Sequence, residues 1–402
     1  MSILQGYKLR LRIGRQTDRT TVCSFAGPDY ESDSAAERWF DLAISEDGFQ
    51  ATGDNPTIPV PTQHGVRGTA YSVGGDRNTQ QGSLNMPFFP ECAKFLLDLP
   101  QVVGDQKEYY TIQEWHDSSI GTGTGAEYIG CVFDGFNMTL NRGASGVVPI
   151  SLPFFFNQDK ELTGSAPSFT RPPADPYSSR GVLIDLVKTT SAFDADNADV
   201  ESADISVSDG VSVGDHRGSP TESLDGVWTT HTLATAPTVG VNSTLVVRDS
   251  DYLDWHRGSP KPDFMVRVGL TYQNPTFKQT ATVTITDGGG SQTITVSDVS
   301  GLADGDIVMI TDGSKFTVAT VSNVDAPSDT FDIDDSDCAW TAESVTITNA
   351  AIELRMLRLD LSAPGTKTAG GGRATISHGF SAELVAGETE LYTYKAANDD
   401  NT

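Results

Sequence analysis

Six histidines are the first place to look for chemistry: His64, His116, His216, His231, His256 and His378. A zinc site needs ligands converging from one helix face or from closely spaced cysteine and histidine pairs. No two of these histidines share such a face, and none stands beside a cysteine at ligand spacing. The cysteines, Cys23, Cys92, Cys131 and Cys338, are far apart and form no CxxC pair. They read as buried free thiols of a chain made in a reducing compartment, with disulfides left open. The run Asp332, Asp334, Asp335 and Asp337 offers the oxygens that calcium wants, but lacks the glycine and distal glutamate of an EF-hand loop. Solvated turn carboxylates are expected there, and Asp304-Gly305-Asp306 reads as a turn. Glycine-rich GTGTG (121–125), GGDR (74–77) and GGGR (370–373) lack the lysine and the strand–helix context of a phosphate cradle. All three are read as turns. No GxSxG elbow occurs, and carboxylate pairs are too common in so acidic a chain to mark a glycosidase. The expectation is a protein that is not an enzyme and holds neither cofactor nor metal.

Charge narrows the field further. The chain has 54 acidic and 27 basic residues, a formal net charge of −27. The segment 276–349 alone has 12 acidic and 2 basic residues. Tight binding of nucleic acid needs lysine and arginine facing phosphate, and no block of the sequence has an excess of them. An acidic surface can still border a path along which DNA slides, since like charge gives phosphate nothing to hold; solubility in a salty medium is the other reading. No run approaches the apolar length of a membrane span, and the first residues lack the apolar centre of a signal peptide.

The elements that must position anything else are mostly strands. With 39 glycines and 20 prolines among 402 residues, the sequence suits many short strands and turns. Lys8, Arg10 and Arg12 alternate with Leu9, Leu11 and Ile13, which predicts a strand with one wet face; a second strand is expected over 20–25. Ser34 with Glu37 forms a capping box ahead of Ala36, Trp39, Phe40 and Ala43, which predicts a short helix over 34–44. PECAKFLLDLP predicts a helix started by Pro90 and stopped by Pro100. A shorter one is expected over 249–256. The long stretch 50–82 holds Pro56, Pro59 and Pro61, unsuited to a central strand. Its apolar residues Ile58, Val60, Val66, Tyr71 and Val73 suggest an arm that orders against a neighbour. The stretch 163–179 reads as a linker and 194–223 as an acidic loop region.

One plan occurs twice. KEYYTIQEWHDSS, then GTGTGAEYIGCVFDGFNMTLNR, then VVPISLPFFFNQDKEL is echoed by KPDFMVRVGLTYQN, then AIELRMLRLDLSAP, then GRATISHGFSAELVAGE. Each copy is a strand, a connection, a second strand, a glycine-bearing turn and a third strand. A sheet unit carried twice suggests a fold that works by repetition in a ring or array. The second copy's connection, 276–349, reads as a small β-domain in its own right, with ATVTITD and TITVSDV as a hairpin. Its ends are expected to meet, as an insertion in a loop requires. The chain is thus expected to be mainly β with a few short helices: a first unit over 1–165, a second over 166–275 and 350–402, and an inserted domain over 276–349.

With that plan laid out, the chain resembles the tail tube proteins of long-tailed bacteriophages and related archaeal viruses, in the type that carries the tube fold twice with an inserted surface domain. GSLNMPFFPECAKFLLDL, EYIGCVFDGFNMTLNRGASGVVPISLPFFFNQDKEL and IELRMLRLDLSAPGTKTAGGGRATISHGFSAEL carry the likeness. It implies two tandem β-sandwich or barrel units that lend strands to a barrel shared by a ring of three chains. Phe133, Phe136, Met138, Leu140, Ile150, Leu152, Leu354, Met356, Leu357, Leu359, Ile376 and Phe380 lie on the strands concerned. It implies stacking of rings through the arm 50–82, the N-terminal residues and 391–394, with the insert pointing away from an anionic bore. The partners implied are further copies of the chain, other tail proteins such as tape measure, distal tail and terminator proteins, and viral DNA that passes through without specific binding. The place implied is the virion tail, after synthesis in the host cytoplasm. An adhesive or surface-layer β-protein, or another tail component such as a distal tail or terminator protein, are the rival readings.

Overall fold

The computed structural model describes residues 9–16, 22–23, 39–42, 44, 48–54, 57–61, 69–74, 78–99, 102–103, 106–116, 123–143, 145–164, 175–188, 200–216, 228–233, 237–246, 264–271, 275–288, 290–349, 351–369, 374–383 and 392–396. The fold is mainly β, and the repeated plan appears in it as one pairing scheme used twice. In the first unit, Leu9–Arg15 pairs with Tyr110–His116, which pairs with Gly123–Phe133, which pairs with Gln158–Gly164. In the second, Leu183–Lys188, Phe264–Leu270, Ile352–Ala369 and Tyr392–Lys395 follow in the same order. These four-stranded sets form the outer layer.

The inner layer repeats as well. Phe49–Asp54, Asn78–Pro87, Pro149–Phe155 and Gly135–Asn141 are neighbours in the first unit. Val200–Ser208, Thr238–Val246, Ala374–Glu383 and the end of Ile352–Ala369 are neighbours in the second. In each unit one long path of chain crosses from outer to inner layer. It is broken only at Asp134 in the first unit and is a single 18-residue strand in the second. Apolar alternation drives the layering: Phe136, Met138, Leu140, Ile150, Leu152 and Phe380 turn inward and are buried, as are Phe133, Leu354, Met356, Leu359 and Ile376. All belong to one core spanning both units. The helix Ala93–Asp98, entered through a 3-10 turn at Pro90–Cys92, adds Ala93, Leu96 and Leu97 to that core.

The segment 276–349 builds a six-stranded sheet of its own, Lys278–Ile285, Trp340–Asn349, Ile307–Thr311, Phe316–Asp325, Thr330–Ile333 and Gln292–Thr295, over a separate core. Its ends meet: Phe277 and Asn349 exchange backbone and side-chain hydrogen bonds of 2.9 and 3.1 Å. The two strands expected to form a hairpin do not pair. Lys278–Ile285 lies against Trp340–Asn349 and Gln292–Thr295 against Thr330–Ile333, at the two ends of the six-stranded order, with Ile285 and Ile294 in the same core.

Several other expectations are corrected. Trp39–Leu42 is a strand paired to Leu9–Arg15, so pairing to an edge overrides the helical period there. The residues 200–216 form two strands rather than a loop, since Val200, Ala203, Ile205 and Val207 are buried between acidic and hydroxyl neighbours. The first strand has no fully wet face: Arg12 is buried while Arg10 is exposed. GTGTG enters a strand at Gly123, where a Cβ on Gly125 would strike the Glu114 carbonyl at 2.2 Å. Of the expected strand over 20–25, Val22 and Cys23 are described, and neither is in a strand. The linker region ends docked, with Tyr177 buried against Phe88 and its amide bonded to the Phe88 carbonyl at 2.8 Å. The expected helix over 249–256 lies outside the described residues.

Candidate assembly surface: a sheet joined across both units

The two inner layers are one sheet. Gly135–Asn141 of the first unit pairs antiparallel with Val200–Ser208 of the second in seven consecutive register positions, from Gly135 opposite Ser208 to Asn141 opposite Ser202. Asp134 fixes the corner. Its carboxylate accepts from the Val211 amide at 2.7 Å and from the Ser208 hydroxyl at 3.2 Å, and its carbonyl accepts from the Asp209 amide. Gly135 permits the close approach: at φ +153°, a Cβ there would lie 1.9 Å from the Val207 carbonyl oxygen.

The joined sheet runs in the order Phe49–Asp54, Asn78–Pro87, Pro149–Phe155, Gly135–Asn141, Val200–Ser208, Thr238–Val246, Ala374–Glu383 and 360–369. One face is the core. The other is open and mainly polar, with Pro149, Pro153 and Phe155 also on it. A row crosses it through Asn85, Ser151, Asn137, Ser206, Gly240, Ser381 and Asp360, each directly opposite the next. The flanking rows bring Thr139, Asp204 and Asn242, then Asn141, Ser202, Thr244 and Ser377. Among the residues of this face whose side chains are described, Glu201, Asp204 and Asp360 are charged and none is lysine or arginine; Glu383 continues the row of Ser208 and Thr238. The acid is concentrated elsewhere, above all in the inserted segment.

Both ends of the sheet are edges. Phe49–Asp54 pairs on one side alone, with Asn78–Pro87, and the stretch 360–369 pairs on one side alone, with Ala374–Glu383, among the described residues. An open edge presents a row of unmatched amides and carbonyls to another strand.

The insert sits on the far side of the molecule. On Phe264–Leu270 the side chains of Phe264, Val266, Val268 and Leu270 enter the main core. The alternate positions Arg267 and Gly269 meet the insert, where Phe316, Met309 and Val318 pack with Leu183. Arg267 is fully buried. It donates to Asp185 at 2.7 Å, to Asp337 at 2.9 Å and to the Phe316 carbonyl, with its guanidinium 4.3 Å from the Phe316 ring centre. Arg355 joins Asp337 at 2.5 Å and Glu353 at 2.9 Å. Burial outweighs the attraction of Arg267 and pushes Asp185 up to about 6; burial also raises Glu353. Burial takes the nearby Cys338 thiol up to about 11, which leaves it an inert core sulfur.

The residues singled out in the sequence divide cleanly. No group of three or more potential metal ligands comes together among the described residues. Asp332 spends its oxygens on the Thr293 hydroxyl and the Asn323 amide, bonds that lower its pKa, and Gly305 turns the chain at φ +94°. All four cysteines are buried thiols outside any disulfide. Trp115 and Trp340 are buried. In the arm, Thr57–Pro61 pairs with Thr69–Gly74 as a separate two-stranded ribbon, which places Ile58 opposite Val73 and Val60 opposite Tyr71. Val66 lies outside the described residues. Of the other described residues of this stretch, 50–54 and 78–82 belong to the joined sheet rather than to an arm. In the C-terminal strand, Tyr392 packs on Phe136 at 5.6 Å and the Tyr394 hydroxyl donates to Asp98. No helix is long and apolar enough to cross a membrane among the described residues. No protein-family model matches the sequence, and no curated protein matches it.

Proposed function

We propose that this chain is a structural subunit that assembles with copies of itself into stacked rings around a hollow channel, as a tail tube through which viral DNA is delivered. The single observation that carries the reading is the joined sheet, in which two equivalent units already form one continuous wall within a chain. Repeating that join between chains extends the wall, and a head-to-tail contact of this kind closes into a ring when the rotation permits. With two units per chain, three chains make a ring of six quasi-equivalent positions. A barrel of that strand number is wide enough to leave a water-filled bore.

The chemistry of the open face favours passage over binding. Serine, threonine and asparagine side chains stay hydrated. Without lysine or arginine there is no counterion release to be gained from contact with a phosphate chain. The function is conduction by a rigid wall, with nothing catalysed, and the insert lies on the outside, away from the bore. The ribbon of Thr57–Pro61 and Thr69–Gly74, which pairs apart from the joined sheet, is the candidate for ring-to-ring contact. The partners in this reading are further copies, the tape measure, distal tail and terminator proteins, and DNA as a passing cargo.

Electron microscopy of the purified, concentrated protein tests it. Rings or tubes with an axial hole support the reading. Monodisperse solid particles that bind glycan or cell surfaces support an adhesive protein instead. Single rings that never stack point to a distal tail or terminator component.

A further inference from the structure

The internal join contains the register of the join between copies. Equivalent positions follow from the strand partners alone. Phe133 faces Phe154 and Leu361 faces Phe380. Phe154 then faces Gly82, which faces Ala51, while Phe380 faces Val241, which faces Ile205. Ala51 therefore holds in the first unit the place that Ile205 holds in the second, and Phe49 the place of Ala203. On the other strand, Asn137 faces Ser151 and Thr366 faces Ser377. Ser151 and Ser377 each stand three residues before those matched phenylalanines, so Thr366 holds the place of Asn137. The second unit accommodates one extra residue between Leu361 and Thr366, where its pairing shifts register.

In the internal join, Asn137 faces Ser206 and Met138 faces Ile205. We infer that two copies of this chain join by antiparallel pairing of 360–369 with Phe49–Asp54 of the next copy, with Thr366 opposite Thr52, Lys367 opposite Ala51, Thr368 opposite Gln50 and Ala369 opposite Phe49. This rests on the ring reading above and specifies its contact.

Three further observations support a second copy as the occupant of these edges. Seven successive antiparallel steps leave the first and last strands of the joined sheet running in opposite directions, so the contact between copies has the same sense as the internal one. Ala203 and Ile205 are buried, whereas their counterparts Phe49 and Ala51 are only partly covered although they pack on the same core. Among the described residues, what the counterparts lack is the neighbouring strand that Gly135–Asn141 supplies in the second unit. Closure of the eight strands on themselves is disfavoured, because a barrel of that size fills its interior with side chains, and here Asn137, Thr139, Asp204 and Ser206 are exposed.

Disulfide trapping reads the register. The double variant Gln50→Cys with Thr368→Cys places thiols at directly opposed positions. Gln50→Cys with Thr366→Cys is off by two residues, where diagonal separations reach ~7–8 Å against ~5 Å for direct pairs. Under mild oxidation at assembly concentrations, the first variant is expected to form interchain disulfides about tenfold faster than the second, seen as covalent multimers on non-reducing gels. The wild type, with its four buried thiols, is expected to form none. Interchain bonds favouring the off-register variant, in a protein that still makes rings, overturn the register and leave the ring reading standing. Intrachain bonds alone overturn the proposal in favour of a sheet that closes on itself. A wild type that stays monomeric by native mass spectrometry, with no interchain bond in either variant, overturns both.

Discussion

Gly135 is the position at which a single methyl group tests whether the two units are truly joined. Gly135→Ala sets a Cβ 1.9 Å from the Val207 oxygen and 2.6 Å from its carbon, both backbone atoms that no side-chain rotation can move aside. Holding a non-glycine residue at φ +153° costs about 1–3 kcal/mol. Relieving the clash separates the strands at Gly135 and Phe136, and two or three hydrogen bonds at about 1 kcal/mol each are then lost. The total is about 3–6 kcal/mol, much of the stability of an ordinary domain. Gly143→Ala is the control: φ is +74° but a Cβ there meets nothing within 4 Å, so only the left-handed backbone cost of about 1–2 kcal/mol applies. Urea midpoints give the overall loss, and hydrogen exchange at amides 202–208 locates it. Gly135→Ala is expected to open those amides while Gly143→Ala leaves them protected. Equal effects of the two substitutions would refute the close join.

Arg267→Met leaves Asp185, Asp337 and Glu353 without their buried cation and is expected to cost ~3–5 kcal/mol; a urea midpoint within experimental scatter of wild type would contradict the network's role. The raised pKa of Asp185 gives a pH signature: its folded value of about 6 lies above the ordinary 3.8, so this group favours the fold below pH 3.8 and that contribution is lost as pH rises through about 6. The stability advantage that Asp185 gives wild type over Asp185→Asn should therefore shrink as pH rises from about 4 to about 6 and level off above it, read as paired urea midpoints. Lysines at Asn137 and Ser206, adjacent on the open face, are expected to make assembled protein retain double-stranded DNA at about 50 mM salt and release it near 200 mM. Wild-type assemblies that retain DNA equally well would remove the argument from wall chemistry.

The repeat was legible because sheet pairing preserves alternation. Phe136, Met138 and Leu140 in one copy, and Leu354 and Met356 in the other, follow the period of two that a half-buried strand imposes. The helix at Ala93–Asp98 was legible from its proline and apolar spacing, and the insert from strands at short, even intervals. Trp39–Leu42 was misread because four residues of an edge strand can satisfy a helical period equally well. Val200–Ser208 was hidden by Glu201, Asp204 and its serines, which face the open side and make a strand look like a loop.

Other features depend on segments distant in sequence. Arg267 stands in an apolar run, and its carboxylate partners come from residues 185, 337 and 353. No local pattern announces such a cluster. The chemistry of the open face was not legible for a related reason: a net charge of −27 is a sum over all surfaces, while the joined sheet exposes mainly hydroxyls and amides. The join itself could not be read at all, since the pairing of Gly135–Asn141 with Val200–Ser208 spans some sixty residues and has the same alternation as any other pair of strands.

A three-dimensional reconstruction of the assembled protein bears most directly on the central claim. The account predicts an unbroken β-sheet around an open channel, with Asn137 and Ser206 facing the lumen and residues 360–369 of each copy hydrogen-bonded to Phe49–Asp54 of the next. A compact monomer with both edges capped by its own chain, or a ring in which this sheet faces outward, would contradict it.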